Sequence, residues 1–446
     1  MSSKSYAATL ARPVSLFIGV DLGTSGCRAI AINEAKTIVA ESHFDYPTAS
    51  AQTPGMWWQA TQTVIKDITA QVKQYHIEAI AIDGTSATVL LCNEEGTPLT
   101  PALMYHDQRA SKQAELLKQV APHHSVVANP ASGLAKALWL TEHYPQNKPF
   151  RLVHQADWVA GQLCRRFDFS DINNALKTGY DVVNHHWPLW ISDLGFDTTC
   201  LPKVFYPGDA VTTINLNIAK QLGLPIDVEI IAGTTDSTAA FIAASENMSP
   251  QPGDAVTSLG SSLVVKVVSD VPLNDPVSGI YSQPYDHYWL VGGASNTGGA
   301  VLNYFFTPSQ MRTMSQHVRA DKPTGLDYYP LINKGERFPF NDPEFQPRLT
   351  PKMENDVLFF QGMLEGIANI EHEGYKLLYE LGAPYPKTVK TVGGGAKNSA
   401  WQKIRNKKLG VPVICAKHSQ AAYGSALLAS KNYLLTQVKQ EQNYDQ

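Results

Sequence analysis

The chain has 446 residues, of which 43% are hydrophobic and 17% are charged, so it can bury a large core and is not disordered. This length predicts two or three domains. With 36 basic residues, 40 acidic residues and a net charge of −4, the chain lacks the basic excess of a general nucleic-acid binder. We therefore expect a multidomain globular protein that does not bind nucleic acid.

The cysteines and the apolar runs indicate where the protein works. Five cysteines are scattered without a C-x-x-C pair, which fits free thiols in a reducing compartment. No run approaches the roughly 18 apolar residues of a membrane helix. Residues 1–12 lack the apolar core of a secretory signal and are interpreted as a disordered tail. We expect no membrane association and a cytoplasmic location.

The first half of the chain begins with strand-like stretches at residues 16–20 and 28–32, which flank a short polar turn. A third strand is predicted at 37–43. Apolar residues at helical spacing predict a helix over 56–75. The continuous apolar run at 77–82 is typical of a buried parallel strand. This half therefore predicts an α/β unit.

The second half repeats that order about 240 residues later, at low sequence identity. Strands are predicted at 255–259, 263–268 and 288–291, with another small polar turn between the first two. A long helix is predicted over 356–381 and a short strand over 388–392. Two similar α/β halves leave a cleft between them, which is the usual place for a ligand.

The first turn, Asp21-Leu22-Gly23-Thr24-Ser25-Gly26, has the composition of a phosphate-binding loop. Backbone amides of such a turn can point at an anion, and the hydroxyls of Thr24 and Ser25 add donors. Glycines such as Gly23 permit positive φ values and close approach. Asp21 suits this place if Mg²⁺ lies between it and the phosphate, held through water. An ordinary β-hairpin, in which Asp21 and the glycines serve turn geometry, is the open alternative.

The second turn, Gly260-Ser261-Ser262, has the same glycine-and-hydroxyl character. Two such turns facing each other across the cleft could hold a polyphosphate from both sides. The pair is therefore stronger evidence for a phosphate site than either turn alone.

A third element follows the last predicted strand, where Gly393, Gly394 and Gly395 leave the backbone bare for a flat ring or a phosphate. Asn398 or Ser399 is expected to cap the next helix, which carries Trp401. We interpret Gly393 to Gly395, Asn398 and Trp401 as the nucleoside side of the site, with a plain strand-to-helix turn as the alternative.

The motifs DLGTSG, SLGSS and GGGAKNSAW, in this order, resemble the FGGY family of carbohydrate kinases in the actin-like ATPase superfamily. The resemblance covers roughly residues 15–435. It implies a mixed α/β fold of two ribonuclease-H-like domains, with ATP and a sugar in the cleft between them. The implied domains are 14–243 and 244–416, with a C-terminal helix at 417–436 returning to the first domain.

The resemblance also implies a catalytic residue. In IIAGTTDSTAAF, Asp236 lies between an apolar strand and a small-residue helix, as the family's catalytic aspartate does. A carboxylate there can take the proton of the sugar hydroxyl while Mg²⁺ and the phosphate turns neutralise charge on ATP. A helix N-cap is the alternative role for Asp236. The two roles are compatible.

The substrate is less well indicated. The turn Asp83-Gly84-Thr85-Ser86-Ala87-Thr88 carries neither the Arg-Glu pair of glycerol kinases nor the Met-His pair of xylulokinases. It resembles the short plant and cyanobacterial-type kinases, which implies phosphorylation of D-ribulose to D-ribulose 5-phosphate, with Ser86, Asp21 and Asp236 contacting the ketose. D-xylulose, L-ribulose and polyols remain open as substrates. A simple strand-to-helix turn is the alternative for Ser86.

Two other functional classes are alternatives to a kinase. One is a nucleotide-driven switch that binds a partner protein, and the other is a sugar sensor that binds its ligand without turnover. The Asp236 segment weighs against the first and the two phosphate turns against the second. Asp107 and Arg109 either order the sugar side or form an internal ion pair. The sequence does not indicate an oligomeric state.

Overall fold

The structure is a computed structural model. It describes residues 14–47, 52–123, 125–145, 148–246, 250–275 and 277–444, with side chains to residue 435. The predicted tail at 1–12 therefore lies outside the described residues.

The first half contains ten strands and eight helices among its described residues. Its strands are β1 (Ser15–Leu22), β2 (Gly26–Asn33), β3 (Ile38–Asp45), β4 (His76–Gly84), β5 (Val89–Cys92), β6 (Arg151–His154), β7 (Phe169–Asp171), β8 (Lys203–Phe205), β9 (Ala210–Thr213) and β10 (Glu229–Thr235). Its helices are α1 (Pro54–Gln71), α2 (Ser111–Val120), α3 (Gly133–His143), α4 (Gln155–Cys164), α5 (Ile172–Leu176), α6 (Trp190–Asp193), α7 (Leu216–Leu222) and α8 (Asp236–Ser245).

The second half has six strands and five helices in the part of the chain that is described. Its strands are β11 (Asp254–Leu259), β12 (Leu263–Ser269), β13 (Tyr281–Tyr285), β14 (Tyr288–Ser295), β15 (Thr388–Val392) and β16 (Val413–Cys415). Its helices are α9 (Gly299–Phe305), α10 (Pro308–Ser315), α11 (Asp356–Glu380), α12 (Ser399–Leu409) and α13 (Ala421–Tyr444).

The predicted repetition of architecture is confirmed by the two large sheets. The first has the strand order β3-β2-β1-β4-β10-β9 and the second has the order β13-β14-β12-β11-β15-β16. In each sheet an antiparallel hairpin, β1–β2 or β11–β12, is followed outward by parallel strands. The predicted α/β class with two ribonuclease-H-like domains is therefore correct.

The predicted elements differ from the observed ones mainly at their ends. Helix α1 begins where Thr53 accepts a hydrogen bond from the Met56 amide and ends at Gln71, four residues before the predicted end at 75. The strand predicted at 288–291 continues to Ser295, where it pairs with Leu263. This extension brings residues 292–295 to the cleft end of the second sheet.

The C-terminal helix α13 packs on the first sheet through backbone contacts that only glycine permits. A Cβ on Gly19 of β1 would lie 2.0 Å from the Ala422 carbonyl oxygen, and one on Gly424 would lie 1.9 Å from the Ala239 carbonyl oxygen. Helix α13 thereby touches β1 and α8 directly, although the domain limits at 243 and 416 stay a prediction.

Helix α8 also packs against the second half. Phe241 and Ile242 share a buried apolar cluster with Val256 and Val268 of the second sheet. Because α8 begins at Asp236, this packing orients the start of the helix relative to both sheets.

Candidate active site between the two sheets

Three neighbouring parallel strands of the first sheet each have a carboxylic acid within one residue of their carboxyl ends. Asp21 of β1 pairs with Asp83 of β4, and Asp83 pairs with Thr234 of β10, two residues before Asp236. Since carboxyl ends of parallel strands meet at one edge of a sheet, Asp21, Asp83 and Asp236 come together there. Asp83 was not predicted as a site residue, because only the strand order reveals that it lies between the other two.

Asp83 is the most deeply buried of the three carboxyl groups. Ser425 of α13 donates a 2.6 Å hydrogen bond to Asp83 Oδ2. Asp83 Oδ1 has no hydrogen-bond partner within the described residues. Burial and the charge of Asp21 raise the pKa of Asp83 well above its usual range. Burial also raises the pKa of Asp21, although a hydrogen bond from Asp83 and the charge of Arg28 oppose this. A hydrogen bond between two carboxyl groups requires a proton on one of them, and the stronger upward shift in pKa favours Asp83 as its holder.

Asp236 is the first residue of α8, and Thr235 occupies the N-cap position without capping a backbone amide, since its hydroxyl pairs with that of Thr238 at 3.1 Å. The Ser237 amide donates a 2.6 Å hydrogen bond to Asp236 Oδ1. Burial, followed by the charge of Asp21, raises the pKa of Asp236 to about 6. A carboxylate with this pKa is ionised at neutral pH and is a better proton acceptor than an ordinary aspartate.

The first turn is the predicted hairpin, closed by a 2.9 Å hydrogen bond that the Gly23 amide donates to the Gly26 carbonyl. Thr24 and Ser25 are exposed at its tip. The reason predicted for its glycines was incomplete, since neither Gly23 nor Gly26 has positive φ. Gly26 instead allows close approach, because its Cβ would lie 2.5 Å from the Phe44 carbonyl oxygen.

Gln52 supports this turn from the side, a role that the sequence does not indicate. Its Nε2 donates to the carbonyl oxygens of Thr24, at 2.8 Å, and Gly23, at 3.3 Å. The Trp57 indole donates to Gln52 Oε1 and fixes the amide in place. With these two carbonyls occupied, the hydroxyls of Thr24 and Ser25 are left exposed at the tip of the turn.

The second turn lies beside the glycine loop, which is formed by residues 393–395. The two are neighbours because β11 and β15 are adjacent parallel strands, with Ser258 paired to Val392. A Cβ on Gly393, whose φ is +86°, would lie 2.8 Å from the Gly260 amide nitrogen. The Gly299 amide donates to the Gly260 carbonyl at 2.8 Å, and the Ala300 amide donates to the Ser261 carbonyl at 3.1 Å. The start of α9 thus buttresses this turn, which the sequence did not indicate.

The structure corrects the predicted position of Trp401. Its side chain is 2% exposed, and its indole donates to the Leu364 carbonyl at 3.0 Å. The ring packs behind Gly395, whose Cβ would lie 2.6 Å from it. Trp401 therefore cannot stack on a nucleotide from the cleft. It supports the glycine loop from the core, because an apolar residue at helical spacing faces the interior first.

Asn398 is the predicted cap of α12. Its Oδ1 accepts hydrogen bonds from the amides of Ala400 and Trp401, and its Nδ2 donates to Ser315 of α10. Gly393 and Gly394 are exposed in front of it. The surface that this loop offers to a nucleotide is consequently backbone, with the Asn398 side chain engaged in holding α10 and α12 together.

The turn after β4 is built around two unusual groups. Ser86 Oγ is buried and has no hydrogen-bond partner within the described residues. Beside it, Ala87 has a φ of +62°, and its carbonyl accepts a 2.9 Å hydrogen bond from the buried ammonium of Lys136. Lys136 also donates to the Met104 carbonyl, and burial lowers the pKa of Lys136 to about 7. An orphaned buried hydroxyl is expected where a ligand completes the hydrogen bonding.

The carboxyl groups suit a hydrated cation better than a directly coordinated one. Within the described ranges, no group of three or more His, Cys, Asp or Glu side chains converges closely enough to ligate a metal ion. Asp21, with exposed Thr24 and Ser25 beyond it, fits a Mg²⁺ that keeps several of its waters.

Asp107 and Arg109 form the internal ion pair that was one of the two interpretations. Their side chains meet at 2.9 Å, and hydrogen bonds and charge from Arg109 outweigh burial and lower the pKa of Asp107. The guanidinium also lies over the Trp139 ring. All five cysteines are free thiols. None of the helices in the described residues is both long and apolar enough to cross a membrane.

Comparisons with known proteins agree with this architecture. Residues 16–243 match the N-terminal domain of the FGGY family of carbohydrate kinases, and residues 255–433 match its C-terminal domain. The xylulose kinase of Escherichia coli (strain K12) is 26% identical over 87% of this chain and 84% of its own length. The gluconokinase of Bacillus subtilis (strain 168) is 22% identical over 87% of this chain and 82% of its own length.

Solved structures show the same fold. The ligand-bound xylulose kinase from Lactobacillus acidophilus superimposes with a TM-score of 0.81 at 21% identity, covering 95% of this chain and 90% of that one. The gluconate kinase from Lactobacillus acidophilus superimposes with a TM-score of 0.82, also at 21% identity, over the same shares of the two chains. With both family domains matched in order, the chain belongs to the FGGY family of carbohydrate kinases and is a sugar kinase.

Proposed function

We propose that the protein transfers the γ-phosphoryl group of ATP to a small ketose, and specifically converts D-ribulose to D-ribulose 5-phosphate. The observation that carries this proposal is the position of Asp236, an ionisable carboxylate with a raised pKa at the meeting point of the two halves. The unpartnered hydroxyl of Ser86 supports a polar, hydroxyl-bearing substrate on the first-half side.

In the proposed reaction Asp236 is the general base. The sugar hydroxyl oxygen attacks the γ-phosphorus, the bond from that phosphorus to the bridging oxygen breaks, and ADP leaves with the electron pair. Asp236 accepts the hydroxyl proton as the new bond forms. Asp83 stays protonated in this scheme, which limits repulsion between Asp21 and the incoming phosphates.

The phosphates and the nucleoside are assigned to backbone-rich elements. We assign the β- and γ-phosphates to the two turns (Gly23, Thr24, Ser25, Gly260 and Ser261) and the adenosine to the glycine loop (Gly393, Gly394 and Gly395) with Asn398 behind it. Asp21 would hold Mg²⁺ through water and contact the sugar together with Ser86 and Asp236. The cation would supply charge neutralisation on the polyphosphate, and closure of the halves would exclude water.

D-Xylulose is the second candidate substrate, because several curated relatives that cover most of this chain are xylulose kinases. The turn at residues 83–88, here called the sugar-side turn, lacks the Met-His pair expected of that activity, so we propose D-ribulose ahead of D-xylulose. The two sugars differ in the orientation of one hydroxyl group, so the same catalytic residues serve either.

The test is ADP release by the purified protein with Mg-ATP across a panel of ketoses, aldonates and polyols. We expect D-ribulose to give the highest kcat/KM, with the phosphate on its terminal hydroxyl. A higher kcat/KM for D-xylulose would replace the proposed substrate and keep the mechanism. An absence of stimulation by every sugar would contradict the proposed function.

A further inference from the structure

Helix α8 of the first half is contacted at both ends by lysines of the second sheet. Lys266 of β12 donates to the Ser237 carbonyl oxygen at 3.2 Å and to Ser237 Oγ at 3.3 Å. Lys390 of β15 donates to the Ser245 carbonyl oxygen at 2.5 Å. Ser237 is the second residue of α8 and Ser245 is the last, so the helix that begins with Asp236 is held at each end by the other half of the chain.

The charges of the two lysines suit the ends of α8 differently. The last turn of a helix carries partial negative charge, which an ammonium stabilises, whereas the first turn carries partial positive charge, which an ammonium opposes. Lys390 therefore lies where a cation stabilises the helix, and Lys266 lies where a cation does not. The stability of α8 explains the position of Lys390 but leaves that of Lys266 without a reason.

The contact made by Lys266 leads directly to the carboxylate of Asp236. The Ser237 amide donates a 2.6 Å hydrogen bond to Asp236 Oδ1, and the carbonyl and hydroxyl oxygens of the same serine accept from Lys266. Ser237 is thus tied to the carboxylate on one side and to the second half on the other.

Lys266 is itself held in place from behind. Gln283 of β13 is 1% exposed, and its Oε1 accepts a 3.2 Å hydrogen bond from the Lys266 ammonium. An ammonium has three N–H donors, and the two oxygens of Ser237 and the amide oxygen of Gln283 use all three. Lys266 is therefore built as a fixed support and not as a group that binds a ligand.

We propose that Lys266 is a positioning residue, which holds Ser237 and thereby aims the Asp236 carboxylate at the sugar hydroxyl. This inference rests on the function proposed above, because it takes Asp236 to be the general base. Strand β12, which carries Lys266, begins at Leu263 directly after the second phosphate turn. The position of the base thus depends on the same strand that follows the turn to which we assign the phosphates.

The expected effect follows from the geometry that proton transfer needs. A base has to lie within hydrogen-bond reach of the hydroxyl proton, and a misplacement of about 1 Å can lower the rate about 10²-fold. Without Lys266 the Ser237 amide still donates to Asp236, so the carboxylate keeps one of its supports. We therefore expect a smaller loss, of about tenfold in kcat.

The experiment compares Lys266→Met with Lys390→Met, using ADP release at saturating Mg-ATP and saturating concentrations of the best sugar. Lys390 is the matched control because it is also half-buried on the second sheet and donates to the opposite end of α8. We expect Lys266→Met to lower kcat about tenfold while the KM for ATP stays within about threefold of the unmodified value. Lys390→Met should keep kcat within about threefold and lower the temperature of unfolding instead.

The outcomes separate this inference from the proposed function. If no sugar stimulates ADP release by the unmodified protein, both are contradicted. If a sugar is phosphorylated, the inference alone is overturned by an unchanged kcat in folded Lys266→Met, by a rise in its KM for ATP as large as the fall in kcat, or by an equal fall in kcat for Lys390→Met. If either Met variant does not fold, the same comparison is made with Lys266→Gln and Lys390→Gln, whose side chains are neutral and one bond shorter than lysine.

Discussion

Gly393 and Gly394 are adjacent exposed glycines, but only Gly393 has a backbone position that requires glycine. Gly393 has a φ of +86°, and an added Cβ would lie 2.6 Å from the Leu259 carbonyl carbon and oxygen and 2.8 Å from the Gly260 nitrogen. Gly394 has nothing within 4 Å of an added Cβ, and its φ is not positive. Gly393→Ala and Gly394→Ala therefore form a matched pair that separates backbone geometry from surface composition.

The expected cost of Gly393→Ala follows from these distances. The left-handed backbone alone costs an L-residue roughly 1–2 kcal/mol. The Cβ also has to displace the backbone of Leu259 and Gly260, to which we assign part of the phosphate binding. If the second turn shifts, the loss of about 1.4 kcal/mol of binding free energy raises the KM for ATP roughly tenfold.

The assay is the KM for ATP at saturating sugar, with thermal unfolding as the check on folding. We expect Gly393→Ala to raise the KM for ATP roughly tenfold, and Gly394→Ala to change it by less than about threefold. If Gly393→Ala left the KM for ATP unchanged, or if both variants raised it equally, the packing of the glycine loop on the second turn would not position the nucleotide.

Three further outcomes are expected. Because the active form of Asp236 is ionised and its pKa is raised to about 6, kcat should fall as pH drops through about 6, whereas an acidic limb near pH 4 would contradict this environment. Lys136→Met removes the ammonium that donates to the Ala87 carbonyl in the turn at residues 83–88 and to the Met104 carbonyl beside it, so the KM for sugar should rise several-fold while the KM for ATP stays constant; equal rises in both would indicate general damage. Glu371→Gln leaves the buried Arg405 without its countercharge and should lower the free energy of unfolding, measured with denaturant, by about 3–5 kcal/mol. Glu380→Gln at the surface should lower it by less than about 1 kcal/mol, and equal losses for the two variants would contradict the importance of burial.

Local patterns predicted the two hairpin turns and the helix cap to which we assign the phosphates and the nucleoside, because the information lies within a few consecutive residues. The glycine-and-hydroxyl turns at 23–25 and 260–262 lie between paired strands as expected. Asn398 caps α12 for the reason inferred from its sequence position. In each case neighbouring residues make the hydrogen bonds that define the feature.

Long-range proximity could not be predicted in the same way. Asp83 joins Asp21 and Asp236 only because β4 lies between β1 and β10 in the sheet. Lys136 reaches the Ser86 turn from a helix about 50 residues away in sequence. Trp401 was assigned to the nucleotide because it follows a glycine loop, yet the periodicity of α12 turns it into the core. The residues next to Trp401 in the sequence do not indicate whether its face of α12 lies toward a ligand or in the core.

Asp236 is the proposed proton acceptor in phosphoryl transfer, and one variant tests that role directly. Asp236→Asn keeps the size of the side chain and removes its basicity. We predict that sugar-dependent ADP release falls roughly 10²–10⁴-fold, while the Kd for ATP measured by calorimetry stays within about threefold of the unmodified value. Near-normal turnover by a folded Asp236→Asn protein would contradict the central claim.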